Sequence, residues 1–247
     1  MYVFNLETYE WKLIICKKYP YDRCDFGWVK LDQSAVLFGG AGSPNEIYHE
    51  DMWMFKYDGF DFTTDPKKEI QKDYWHPMEQ NGTSPGKLRA FSMEYSVSDY
   101  ALYLFGGHDS RGKNKNDLFK YDLLSSTWVL ISIKSKSPCE RCYHQIAMIN
   151  KDHLVVYGGI TGSLSKIDKV HNDLFVYNIR DSIWVEPIIG GILPGPRFGF
   201  SLCGKQNLNA NQIMIIGGQS FESSSDTKML MKFHVLSENG KNYLIFF

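Results

Sequence analysis

Cys139-Glu-Arg-Cys142 is the chain's one CxxC and its clearest opening for metal or redox chemistry. A structural zinc site needs a second cysteine pair or two histidines at matching spacing, and none follows. A redox CxxC would open a helix in a different fold. Cys142 also follows Arg141 just as Cys24 follows Arg23, so both cysteines read as packing residues in one repeated slot. His49 and His171 each stand two residues before an aspartate, in Tyr48-His-Glu-Asp51 and Val170-His-Asn-Asp173. That repetition reads as a turn rather than a metal pair. Gly40-Ala-Gly42 lacks the third glycine of a dinucleotide loop, and no HExxH or nucleophile elbow occurs. The sequence predicts no catalytic residue, no metal site and no cofactor.

The elements that would carry any chemistry are strands. With 247 residues, 43% of them hydrophobic, the chain can bury a sizeable core, and no segment has the periodicity of an amphipathic helix. A net charge of -1 gives no field to gather phosphates or an anionic bilayer, so neither nucleic acid nor membrane is expected as a partner. Short basic clusters such as Arg111-Gly-Lys113-Asn-Lys115 read as solvated loops. No stretch approaches the roughly 18 apolar residues of a membrane span. Glu7 and Glu10 interrupt the place of a secretion signal, and five scattered cysteines suggest no disulfide framework. A cytoplasmic location is expected, with the nucleus as the alternative, and Asn81-Gly-Thr83 then reads as a turn rather than a glycosylation site.

Four runs of apolar residues end in paired glycines: Ala35–Phe38 before Gly39-Gly40, Leu102–Phe105 before Gly106-Gly107, Leu154–Tyr157 before Gly158-Gly159, and Ile213–Ile216 before Gly217-Gly218. Each run suits a strand buried on both faces. Other markers keep phase with them. An aromatic and a polar residue follow, as Tyr57-Asp58, Tyr121-Asp122 and Tyr177-Asn178, and Trp128 and Trp184 come seven residues after their tyrosines. Phe4 and Trp11 repeat that interval. Arg23, Arg89, Arg141 and Arg197 lie 12 to 14 residues after Trp11, Trp75, Trp128 and Trp184. Gly190-Gly191 falls out of phase and reads as part of a connection.

This pattern resembles the kelch repeat, whose family folds as β-propellers with about one motif per four-stranded blade. The resemblance covers essentially the whole chain. It implies that strands run A to D outward from the centre, with arginine leading into A, the double glycine ending B, the aromatic in C and tryptophan beginning D. It also implies His144 in a slot that relatives often fill with histidine. The all-β propeller expected is a half-blade at 1–15 (strands C and D) and units at 20–80, 85–136, 138–192 and a degenerate 194–247. An insertion in the first unit's C–D connection covers 59–74, and Phe233-His234 stands where the last unit should have Tyr-Asp. Four units and a half-blade are expected to form an incomplete ring, a fragment completed by further propeller sequence or by another chain.

Family members present their B–C and D–A loops on one face, which implies a protein-binding module, a scaffold or adaptor. The B–C loops are Ala41–Glu50, His108–Asn116, Ile160–Asn172 and Gln219–Lys228. The D–A loops are Cys16–Asp22, Pro77–Lys87, Lys134–Glu140 and Gly190–Pro196. The expected contact residues are Tyr48, His49, His108, Asp109, Arg111, Lys113, Lys166 and Asp168. The alternatives are a kelch-fold enzyme of oxidase or isomerase type, or part of a ubiquitin-ligase substrate receptor or cytoskeletal scaffold.

Overall fold

The computed structural model of the protein describes residues 2–43, 46–56, 73–191, 194–207, 210–220, 228–231, 233–238 and 241–246. Among these there is no helix; the regular structure is all β. Blade I consists of Gly27–Lys30, Ser34–Phe38, Met52–Lys56 and Trp75–Pro77, each antiparallel to the next. Blade II repeats this with Ser92–Ser96, Ala101–Phe105, Leu118–Asp122 and Thr127–Leu130, and blade III with Gln145–Asn150, His153–Tyr157, Leu174–Asn178 and Ile183–Val185. The four strands of each blade are strands A to D. Tyr2–Phe4 and Trp11–Leu13 pair as a half-blade. Blade II carries a fifth strand, because Asn81–Gly82 adds in parallel to Thr127–Trp128 and covers its outer edge. The A strands of successive blades lie side by side in chain order.

One lateral pair recurs in the outer hairpins of the half-blade and of blades I to III. Phe4 opposes Trp11, Phe55 opposes Trp75, Tyr121 opposes Trp128 and Tyr177 opposes Trp184. The ring centroids are 4.9, 5.0, 5.0 and 5.0 Å apart. This corrects the sequence reading of blade I: the aromatic slot, opposite the residue four before the double glycine, belongs to Phe55 rather than Tyr57. Tyr57, Asp58 and the insertion through residue 72 lie outside the described residues, as does most of the loop Gln219–Lys228. The indoles of blades II and III then insert against strand B of the preceding blade, Trp128 on Phe38 at 5.2 Å and Trp184 on Phe105 at 5.4 Å. Trp128 and Trp184 are buried, whereas Trp11 is 68% exposed, with no preceding blade among the described residues.

The fourth blade departs from the pattern. Phe198–Asn207, Ala210–Gln219 and Lys228–Met231 form a three-stranded sheet, and Phe233–Glu238 with Lys241–Phe246 forms a separate hairpin. Met231 opposite Ile213 holds the register that Tyr121 holds opposite Leu102. Phe233-His234 therefore do not take the Tyr-Asp slot expected of them; Phe233 pairs with Phe246 instead.

The blades are tied together at the lead-ins to strand A. Ala90 N–H donates to Asp25 O at 2.8 Å, Tyr143 N–H to Ala90 O at 2.8 Å, and Gly199 N–H to Tyr143 O at 3.0 Å. All four residues have left-handed backbones, with φ between 54° and 61°. The double glycines abut this chain of bonds. A Cβ on Gly106 would lie 2.8 Å from Arg141 O, and one on Gly158 2.6 Å from Arg197 O, so the first glycine admits the following blade. Among the described residues, Gly217 has no such neighbour within 4 Å.

Candidate functional site

The arginines before strand A form a repeated clamp. Arg23 Nη1 donates to Gly39 O at 3.0 Å, and its two Nη groups grip Asp51 at 2.6 and 3.0 Å. Arg141 likewise binds Gly158 O at 3.0 Å and Asp173 at 2.6 and 2.8 Å. Arg197 binds Gly217 O at 3.0 Å. Each Nε donates to the carbonyl two residues back, on Tyr21, Cys139 and Gly195. Bidentate pairing of this kind fixes a carboxylate in position as well as binding it. Burial raises the Asp173 carboxyl, but the Arg141 hydrogen bonds and charge outweigh it and hold the group below its ordinary value.

Arg89 does not belong to this series, and the structure corrects its assignment as a repeat marker. Arg89 pairs with His108 across the backbone, where blades I and III pair Cys24 with Ala41 and Cys142 with Ile160. Leu88 takes the arginine slot: Gly40 N–H bonds to Leu88 O as Gly107 N–H bonds to Arg141 O. Shifted by one residue, the guanidinium leaves the clamp and faces the loops. It lies 5.2 Å over the Tyr48 ring and 3.4 Å from the Glu46 carboxylate.

Around it the B–C and D–A loops of blades I and II form two adjoining clefts. One, of ≈ 490 Å³, is lined by Glu46, Ile47, Tyr48, Lys87, His108 and Ser110, among others. The other, of ≈ 510 Å³, shares Ile47, Tyr48 and Lys87 and extends to Tyr21 and His49. Tyr48 Oη and His108 Nδ1 are 2.9 Å apart, a bond joining the loops of two blades. Burial lowers the His108 pKa, and the Arg89 charge adds to this, so a neutral imidazole is favoured.

The eight expected contact residues divide by exposure. Tyr48, His108 and Asp109 are buried, and His49 is half-buried. Asp109 organises its own loop: Oδ1 accepts from the backbone N–H of Arg111 and Lys113 at 3.0 Å each, and Lys115 pairs with Oδ2 at 3.0 Å. Against the cost of burial, those bonds hold the Asp109 pKa at about 2. Arg111, Lys113, Lys166 and Asp168 are exposed. Lys166 and Asp168 stand on a hairpin of blade III, Ile160–Ser163 with Lys166–Val170, apart from the two clefts.

A model of the "KLHDC2/KLHL20/DRC7 Kelch-repeats domain" matches residues 67–243. The chain belongs to the kelch-repeat family. It is similar to human Kelch domain-containing protein 3, at 26% identity over 231 residues, which is 90% of this chain and 54% of that protein. It resembles Drosophila melanogaster Host cell factor at 24% identity, over 87% of this chain and 14% of the relative. Danio rerio Rab9 effector protein with kelch motifs is 24% identical over 72% of this chain and 47% of its own length. The chain thus spans about half the length, or less, of these curated relatives. Together the repeats and the β architecture make it a kelch propeller module with about four blades described.

The CxxC resolves into two unlike cysteines. Cys142 is buried, accepts from Asn114 Nδ2 at 3.3 Å, and has its pKa pushed up by burial to about 12. Cys139 is exposed and turns toward His171, with Sγ 3.9 Å from Nδ1 and 3.7 Å from Nε2. Burial, with Arg141 adding, lowers the His171 pKa to about 4. Sequence spacing gave no sign of this meeting, because 32 residues separate the two.

Proposed function

We propose that this propeller module acts without catalysis, as a scaffold or adaptor that docks partner proteins on its B–C and D–A loop face. The observation that carries the reading is the pair of adjoining clefts over blades I and II, backed by the Tyr48–His108 bond between blades. A rigid frame with variable loops suits recognition, and the kelch relatives support a protein partner. Within the face, Ile47 (57% exposed), Lys87 and Arg111 offer apolar and cationic contacts, while Tyr48, His108 and Asp109 hold the loops in shape. Lys113, Lys166 and Asp168 extend the polar rim.

The experiment compares the two faces. Interactors of the full-length protein are quantified by affinity capture for an Ile47→Asp/Lys87→Glu/Arg111→Glu variant. A matched Lys151→Glu/Arg180→Glu variant alters the opposite face, where both side chains line a separate cleft. The first is expected to lose specific partners that the second keeps. Loss confined to the second variant would place recognition on the other face.

A further inference from the structure

The connection into blade III assembles three side chains that none of the repeat's structural roles fully explains. Donor atoms of Cys139, His171 and Asp173 lie within 4.8 Å of one another, the one such group among the described residues. The hydrogen bonds fix the imidazole's tautomer. Thr161 Oγ1 donates its single hydrogen to Glu140 O at 3.0 Å, so at 2.8 Å from His171 Nε2 it must accept. Nε2 therefore carries the hydrogen, and the lone pair sits on Nδ1, 3.9 Å from the thiol sulfur. Metal-binding histidines are oriented in this way, with the distal N–H held by an outer partner.

Asp173 is oriented too, because Arg141 holds both of its oxygens, and each oxygen keeps a second lone pair for another ligand. Arg141 Nη2 also reaches Cys139 Sγ at 3.3 Å. Its positive charge opposes a cation, but thiolate and carboxylate together outweigh it. With Zn–S about 2.3 Å and Zn–N about 2.0 Å, a tetrahedral S···N edge is roughly 3.5 Å. Sγ now stands beside the ring, 3.9 Å from Nδ1 and 3.7 Å from Nε2, and rotation of the exposed Cys139 side chain is needed to bring it to that edge on the Nδ1 side. Blade I supplies the contrast. It has the same Arg23–Asp51 clamp and His49, but Tyr21 stands in the Cys139 position and stacks on His49 at 6.3 Å.

We propose that Cys139, His171 and Asp173 form a site for a thiophilic divalent metal of the zinc class, with water or a partner's side chain as fourth ligand. Zinc alone and cobalt(II) as its spectroscopic stand-in are the probes, added to the purified, reduced full-length protein. One equivalent of cobalt should bind with a thiolate-to-metal charge-transfer absorption. That absorption should vanish in Cys139→Ser, an exposed change that spares the core, and persist in Cys24→Ser. Zinc should slow alkylation of Cys139 at least ~10-fold, with Cys24 and Cys203 unaffected, and Thr161→Val should weaken zinc binding by about tenfold. A charge-transfer band that survives Cys139→Ser, no band at one equivalent, or equal protection of all exposed cysteines would overturn the proposal.

Discussion

Blades I and III hold their double glycines with an arginine that also grips an aspartate; blade II meets the same need with none. Leu88 occupies the arginine slot there, and Asp117, in the aspartate slot, is exposed where Asp173 is half-buried. The slots correspond because Asp51, Asp117 and Asp173 each accept the N–H of their blade's first paired glycine. The clamped carboxylates, Asp51 at 38% and Asp173 at 28% side-chain exposure, both lie at least partly in the protein. Freed from that duty and moved one residue along, Arg89 faces the clefts. A one-residue shift has turned a scaffold cation into a surface-forming one.

The comparison breaks most visibly at Arg141. Replacing it with leucine, the residue blade II tolerates, leaves the half-buried Asp173 without its cation, at a cost of about 3 kcal/mol, the low end for breaking a buried pair. Denaturant unfolding at pH 7 should show a loss of that size in Arg141→Leu. Arg141→Leu/Asp173→Asn should recover a large part of it. If leucine at 141 is as harmless as Leu88 is in blade II, the clamp is not what holds blade III.

The same slot shows what the chain made legible. Glycine doublets and tryptophans announce the blades because close approach and wedge filling admit few other residues at those places. Arg89 misled because it stands 14 residues after Trp75 where the other units show 12 or 13, a one-residue slip that a loose spacing rule absorbs and strand pairing does not. The correcting signal was present three residues on: Phe26, Phe91, His144 and Phe200 all follow the true slot by three, and Ser92 breaks the series if Arg89 is counted. Tyr57 misled likewise, since Phe55 two residues earlier has the same chemistry and only the register chooses between them. The Cys139–His171 meeting had no local signature, because it depends on a D–A and a B–C loop that are 32 residues apart in the chain and meet only in the fold.

The glycine doublets separate blades whose following neighbour is described from the last, where none is among the described residues. Gly106 and Gly217 both have left-handed backbones, at φ 66° and 74°. Alanine at 217 should therefore cost only about 1–2 kcal/mol of backbone strain. Alanine at 106 adds a Cβ 2.8 Å from Arg141 O and 2.7 Å from the His144 ring, forcing blades II and III apart. Its total should reach about 3 kcal/mol. Equal losses in thermal or denaturant unfolding would mean that conformation alone selects the doublet.

His144 distinguishes blade III in a second way, since the other blades have phenylalanine there. It is buried, donates Nε2–H to Phe105 O at 3.1 Å, and has its pKa driven by burial, with help from Arg141, down to about 3. A histidine depressed on folding stabilises fully above its unfolded pKa of about 6.5, and that stability drains away as pH falls toward 3. At pH 5 the loss is on the order of 2 kcal/mol. His144→Phe should cost about 1 kcal/mol at pH 8, for the lost hydrogen bond, yet lose less than wild type between pH 8 and pH 5. Parallel pH profiles for the two proteins would show that the acid sensitivity lies elsewhere.

The smallest effect is expected at Arg89, and its smallness is the point. In Arg89→Leu the losses are the contact over Tyr48 and the ion pair with Glu46, whose side chain is 71% exposed. Such surface interactions are worth about 0.5–1 kcal/mol. The same substitution at Arg141 should cost several times more, although the two arginines stand in similar places in the sequence. Denaturant midpoints of the two variants, measured side by side, decide the matter. If Arg89→Leu unfolds as readily as Arg141→Leu, Arg89 bears structural weight despite its displaced register. If only Arg141→Leu suffers, the guanidinium over the clefts is free to vary with whatever the loop face recognises.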